Sequence, residues 1–276
     1  MRKLVPILLF GAVLLAGCQQ ENAPAAQEES FDLGFNVGLA LTKGEIGEGQ
    51  DATRLYVCVF NASGAPVGEP LVLDAETPSW NPTVKLIKNT AYTIAFWAQS
   101  PMAVNYEIVD NQIRVWTCYL QSPDAEKDHY DAFWGTVAVA ADGSYNRNVT
   151  LTRPFAQINL AVSADTYPGS HQISQFTATG CPNLMNLLTG EVGSSGSDPI
   201  FEGAPTATRD ITVDNVACKL LSSVYVLAGP EVSTLPVSFT VADKTTEPAT
   251  EYQKSIARVS VQRNKQSFIF GNLFSN

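Results

Sequence analysis

Leu151-Thr-Arg-Pro-Phe-Ala-Gln-Ile-Asn-Leu-Ala-Val162 lies near the middle of the 276-residue chain. It reads as a strand broken at Arg153-Pro154, because proline has no N–H to give a ladder and restricts the residue before it. From Ala156 onward, Ala156, Ile158, Leu160 and Val162 alternate with Gln157, Asn159 and Ala161, the period-two pattern of a half-buried strand. Blocks of similar length and texture flank it. The stretch therefore reads as the seam between two β domains, residues 31–150 and 151–276.

The alternation recurs along both blocks. Phe31, Leu33, Phe35, Val37, Leu39 and Leu41 alternate with small or polar residues. Residues 54–60 and 90–98 are apolar on both faces, as strands covered on both sides are. Residues 113–120 and 131–140 continue the series, and residues 66–73 read as an edge strand. Beyond the seam, strands are expected near 171–180, 208–213, 219–227, 235–241, 255–261 and 266–274. Residues 183–190 fit either a short hairpin or a single helical turn. No long segment carries a 3.6-residue period, so the fold class is all-β, built from antiparallel sandwiches.

The first residues point to export. Arg2 and Lys3 precede the apolar run Leu4–Leu15, the layout of a signal peptide over residues 1–17. That run is too short for a spanning helix, which needs about 20 residues. Leu14-Leu15-Ala16-Gly17-Cys18 has the form of a bacterial lipobox, which makes Cys18 the mature N-terminus and its lipidation site, acylated with diacylglycerol and palmitate. Each buried CH2 adds roughly 0.8 kcal/mol, so two or three chains anchor a soluble domain. Residues 18–30 are polar and Ala/Pro-bearing, a flexible tether.

Charge and motif spacing exclude several functions. Without Arg2 and Lys3, 15 basic residues (17 − 2) face 27 acidic ones, a net charge near −12. With no basic run, nucleic-acid binding has no electrostatic footing. Gly193-Ser-Ser-Gly-Ser197 lacks the spacing of a nucleophile elbow, and His129 and His171 lie in unrelated contexts. Asp124, Glu126, Asp128 and Asp131 surround one loop, but the glycine and bidentate glutamate of an EF-hand are missing. No catalytic residue, metal ligand or cofactor is assigned, and the ligand-binding residues are unknown.

Four cysteines follow Cys18. Cys58 and Cys118 lie in the first block, Cys181 and Cys218 in the second, which allows one disulfide per block outside the cytosol. Cys58 and Cys118 also sit inside apolar strands, where a buried free thiol is a common filler. All four tryptophans fall in the first block. Trp97, Trp116 and Trp134 read as core, whereas Trp80, in Thr-Pro-Ser-Trp-Asn-Pro, reads as a loop residue. An exposed Trp80 is the basis for the alternative function, glycan binding at the cell surface.

Three short motifs carry a family resemblance: Tyr130-Asp-Ala-Phe-Trp-Gly135, Leu151-Thr-Arg-Pro-Phe-Ala-Gln-Ile158 and Gln262-Arg-Asn-Lys-Gln-Ser-Phe-Ile-Phe-Gly-Asn-Leu273. With the lipobox, they resemble the fimbrillin-like lipoproteins of Bacteroidota, including the fimbrial anchor and minor subunits. The resemblance implies two tandem transthyretin-like sandwiches, an outer-membrane location at the cell surface, and partners among other fimbrial or surface subunits. Polymerising members lose a first strand to an Arg-directed protease, and another subunit's strand fills the groove. Here the first Arg after the leader is Arg54, at the mouth of an apolar strand, while Lys43 is the basic residue in the loop. The expectation is an uncleaved, lipid-anchored anchor or accessory subunit. The chain stops soon after Gly271-Asn272-Leu273, where relatives continue into further strands, so an exposed sheet edge is expected as a docking site.

Overall fold

The computed structural model describes residues 29–40, 49–123 and 129–275. The leader, Cys18, Lys43 and the acidic residues Asp124, Glu126 and Asp128 lie outside the described residues. Up to the seam the strands are β1 (Ser30–Gly34), β2 (Asn36–Leu39), β3 (Arg54–Asn61), β4 (Leu71–Asp74), β5 (Ser79–Trp80), β6 (Thr83–Ile87), β7 (Tyr92–Gln99), β8 (Tyr106–Val109), β9 (Gln112–Val115), β10 (Thr117–Tyr119), β11 (Ala132–Val139) and β12 (Asn148–Leu151). After the break come β13 (Phe155–Ser163), β14 (His171–Ala178), β15 (Leu184–Asn186), β16 (Val192–Gly193), β17 (Ile200–Glu202), β18 (Arg209–Val213), β19 (Val216–Leu227), β20 (Ser233–Asp243), β21 (Thr250–Val261) and β22 (Gln266–Gly271). The protein is nearly all β, and most pairings are antiparallel; β2 with β12, β10 with β17 and β13 with β22 run parallel.

Two layers enclose the first core. One is the sheet β11–β7–β3–β4. The other joins β12–β2–β5 to β1–β6. Phe35 interrupts β1 and β2, Asn81-Pro82 interrupts β5 and β6, and the Phe35 N–H donates to the Pro82 carbonyl at 2.9 Å across the gap. At the start of the described chain Ser30 pairs with Ile87, and Lys88 N–H donates to the Glu29 carbonyl.

The strands predicted to be apolar on both faces serve two cores. On β3, Leu55 and Val57 pack into the first core while Cys58 and Phe60 enter a larger one. On β7, Ile94, Phe96 and Ala98 face the first core, and Ala95 and Trp97 face the larger. Opposite faces alternate along a strand, so one middle sheet can bury its residues on both sides. The larger core also takes Ile158, Leu160, Val162, Leu221, Val237 and Val259. It thus crosses the division after residue 150.

The later strands form the sheet β18–β19–β13–β22 facing β14–β20–β21. Here β13 departs from the half-buried expectation, because residues 155–162 are all buried. Gln157 and Asn159 are 5% and 2% exposed. The strand is central, and its polar positions are satisfied by neighbours: Ser223 Oγ donates to Asn159 Oδ1 at 2.5 Å, and Asn159 Nδ2 donates to Gln266 Oε1 at 3.4 Å. Where β18 leaves β19, Gln121 from the first half takes its place, exchanging main-chain bonds with Ser223 of 2.7 and 3.2 Å. Residues 183–190 resolve as a hairpin, β15 pairing with β16. β15 also joins β9 across the seam.

Candidate functional site

The three motifs, far apart in sequence, meet at one buried junction. Asp131 immediately precedes β11, and Arg153 lies between β12 and β13. Their side chains are 0% and 1% exposed, with Arg153 Nη2 2.7 Å from Asp131 Oδ2. Arg153 Nε donates to both carboxylate oxygens, at 2.8 and 2.9 Å. The guanidinium lies 4.7 Å from the centroid of the Phe133 ring, a cation–π geometry. Such paired, fork-like contacts suit arginine and exclude a simple exchange for lysine.

Main-chain bonds lock the junction from every side. Trp134 and Thr152 exchange N–H···O bonds of 2.8 and 3.0 Å. Pro154 has no N–H to give, but its carbonyl accepts from Ala228 at 3.1 Å, and the Phe155 carbonyl accepts from Asn264 at 2.7 Å. Arg263, from the third motif, stacks 5.3 Å from the Trp134 ring centroid and donates to the carbonyls of Ala228 and Gly190. The Trp134 indole N–H donates to Leu187 of the β15–β16 hairpin at 2.8 Å. The junction is a structural clamp that holds the two halves together.

Among the described residues several strands end their sheets with one neighbour, β4, β14 and β18 as well as β21 and β22. Among the described residues, β21 pairs only with β20, and β22 only with β13. Gln157 N–H donates to the Lys265 carbonyl, and a parallel ladder alternates its bonding direction. The main-chain groups of Gln266, Phe268 and Phe270 therefore point away from β13. Phe270 is 39% exposed on that edge.

The tryptophans are arranged differently from the expectation. Trp80 is buried on β5 opposite Val37, and its indole N–H donates to the Thr53 carbonyl at 3.3 Å. Trp116, expected in the core, is 49% exposed. It sits between β9 and β10, where the chain changes pairing partners. Ile113 and Val115 point inward before it, and Cys118 and Leu120 after it, so the inward phase slips there. Arg114 stacks 4.8 Å from the Trp116 centroid, and the indole N–H donates to Glu107 at 3.2 Å. Trp116 N–H donates to the Asn105 carbonyl and Ile200 N–H donates to the Trp116 carbonyl; Ile200, and Val104 next to Asn105, are exposed as well. Val104 and Ile200 are apolar sequence positions with no periodic signal marking them as surface.

The remaining candidates do not assemble into chemistry. His129 Nδ1 lies 3.3 Å from Ser100 Oγ and 3.9 Å from Asp51 Oδ2. Both contacts use the same ring nitrogen, whereas a proton relay needs serine and carboxylate on opposite nitrogens. Ser195 exchanges hydrogen bonds with buried Asn183, which pins the Gly/Ser loop. Among the described residues, no three His, Cys, Asp or Glu side chains are gathered to hold a metal ion. The four described cysteines are buried thiols. Burial pushes the Cys58 thiol up to about 12. Cys118 meets Cys181, not Cys58, contrary to one pairing per block.

The fold and its surfaces define the class: an all-β protein of packed, mainly antiparallel sheets, offering strand edges and an apolar–charged patch. Within it, the chain belongs to the family described as "Family of unknown function (DUF6562)", whose model matches residues 29–276. No curated protein matches it. Among solved structures, it is similar to a chain from Parabacteroides distasonis ATCC 8503 at 13% identity, covering 88% of this chain and 89% of that one, with a TM-score of 0.46. It is similar to the fimbrial anchor protein Mfa2 from Porphyromonas gingivalis at 13% identity, 80% and 81% coverage and TM-score 0.39. The tip fimbrial protein Mfa3 from Porphyromonas gingivalis, with C-terminal truncation, matches at 14% identity, 83% and 82% coverage and TM-score 0.39.

Proposed function

We propose that this protein is a non-enzymatic cell-surface lipoprotein, anchored in the outer membrane through Cys18. It serves as a fimbrillin-like anchor or accessory subunit that binds partner subunits by strand contacts. The observation that carries the reading is the open edge of β22, whose outward main-chain groups can add a strand to the sheet β18–β19–β13–β22. Affinity in such a contact comes from main-chain hydrogen bonds, and specificity from alternate side chains such as Phe268 and Phe270. A bare edge is a liability in a monomer and a docking site in an assembly.

An uncleaved state fits the surroundings of Arg54. It is the first residue of β3, paired with Asp74 on one side and Gln99 on the other. Its guanidinium grips the Asp74 carboxylate at 2.7 and 2.8 Å. A protease acting there would have to unpick a paired strand.

The test is co-purification of the tagged full chain from its native cells. Phe270→Pro removes an outward N–H without touching the ladder to β13, whereas Phe270→Thr keeps it. Loss of partner subunits with proline and retention with threonine is the expected result. Equal recovery from both variants would refute edge docking. Trp116→Ala, run alongside, identifies the competing reading: loss of retention on polysaccharide gels with partners still recovered would move the function to glycan binding at Trp116.

A further inference from the structure

We infer that Cys118 and Cys181 close into a disulfide that joins the two halves of the molecule. The strand register brings these two positions together. β15 runs antiparallel to β9, with Leu184 opposite Arg114, and Val115 N–H donates to the Asn183 carbonyl at 2.8 Å. Across that ladder the buried positions Ile113 and Val115 meet Met185 and Asn183; the phase slip at Trp116 then makes Cys118 the next buried side chain of one strand, as Cys181 is of the other. Both side chains end in the same core, 0% and 3% exposed. There Cys181 is the neighbour that, with burial, holds the Cys118 thiol above its usual range. Cys58 lies on β3 opposite Ala95, and Cys218 belongs to a separate cluster with Ala161 and Val213. A bridge has specific geometric demands, and adjacent thiols in one core are the first condition for it.

The chemistry balances as thiol–disulfide exchange. Both S–H bonds break, one Sγ–Sγ bond forms, and two electrons and two protons pass to the disulfide of an oxidoreductase or of oxidised glutathione, which leaves as two thiols. The thiolate is the attacking form, and the Cys181 thiol together with burial holds Cys118 well above the usual thiol range. Exchange in the closed core is therefore suppressed. The bridge forms while the chain is folding, before β10 and the β15 hairpin seal the core. Formation in the cell needs an oxidising compartment and so rests on the exported reading above; the pairing itself does not.

Each of the four cysteines falls on its own tryptic peptide, with Cys118 on residues 115–127 and Cys181 on residues 148–209. The full chain is extracted from native membranes with iodoacetamide present, digested without reduction and mapped by mass spectrometry. In parallel, the purified chain is denatured, reduced and refolded in a glutathione redox buffer before the same mapping. The expected product links these two peptides and leaves Cys58 and Cys218 alkylated. Reductant should lower the Tm of the wild type and leave that of Cys118→Ser unchanged, while Cys58→Ser retains the cross-link. A link in the refolded chain but not in cells supports the pairing and overturns export. Four alkylated cysteines after oxidative refolding, or a link to Cys58 or Cys218, overturns the inference.

Discussion

Replacing Arg153 with Met tests whether the junction clamps the fold. The substitution keeps much of the side-chain stem but leaves the Asp131 carboxylate, 0% exposed, without its cation. Removing one partner of a buried pair costs about 3–5 kcal/mol, because a charge stays out of water uncompensated. The lost contact with Phe133 adds up to roughly 1 kcal/mol within that range. At about 2–4 °C per kcal/mol for a chain of this size, a loss of about 4 kcal/mol lowers Tm by about 8–16 °C. The companion double variant, Arg153→Met with Asp131→Leu, removes both charges. Hydrophobic replacement of a whole buried pair is often neutral, so the double variant should be more stable than Arg153→Met alone. Urea unfolding followed by tryptophan fluorescence, with a thermal scan as a check, gives all three values. A cost below about 1 kcal/mol for Arg153→Met, or a double variant as unstable as the sum of the singles, would refute the clamp.

Two further outcomes follow from other buried groups. His171 is 1% exposed, with Tyr167 at 3.3 Å from Nδ1, no partner at Nε2, and Asp243 across the ladder. Burial lowers its pKa from the ordinary 6.5, so the fold prefers the neutral ring. Stability should be fully present above pH 6.5 and fall as the pH drops toward the folded-state pKa, by at most about 1.4 kcal/mol per pH unit. His171→Phe should flatten that acid limb in urea titrations between pH 7 and 5; an unchanged limb would assign it elsewhere. Gly190 has a φ of +71°, and an added Cβ would meet the Trp134 ring at 2.5 Å and Arg263 Nη1 at 2.9 Å. Gly190→Ala should therefore cost about 2–4 kcal/mol, adding left-handed backbone strain to overpacking. The near-ultraviolet circular dichroism of Trp134 should weaken with it, and a silent spectrum would count against the packing.

Much of the fold was legible because strands write their burial into alternate residues. Residues 54–60 and 90–98 read as covered on both faces, and β3 and β7 indeed face two cores. The break at Arg153-Pro154 separates β12 from β13, as a residue without an N–H requires. Pattern alone misread positions whose environment comes from distant chain. Gln157 and Asn159 look solvent-facing, yet Ser223, Gln266 and the segment at Gln121 cover them. Trp116 stands at a phase slip where either inward parity is consistent with the neighbouring residues. The flanking prolines gave Trp80 the look of a loop residue, but β5 carries it into the first core.

The sequence by itself determined the all-β class and the break at Arg153-Pro154, each a local property of spacing or composition. Only the tertiary structure decided that Asp131 meets Arg153, that Trp134 meets Arg263, that Cys118 meets Cys181, and that Trp116 and the β22 edge face outward. The reason is physical. Periodicity records which face of a strand is apolar, but a partner more than twenty residues away is selected by sheet pairing and shared burial, which no single stretch encodes.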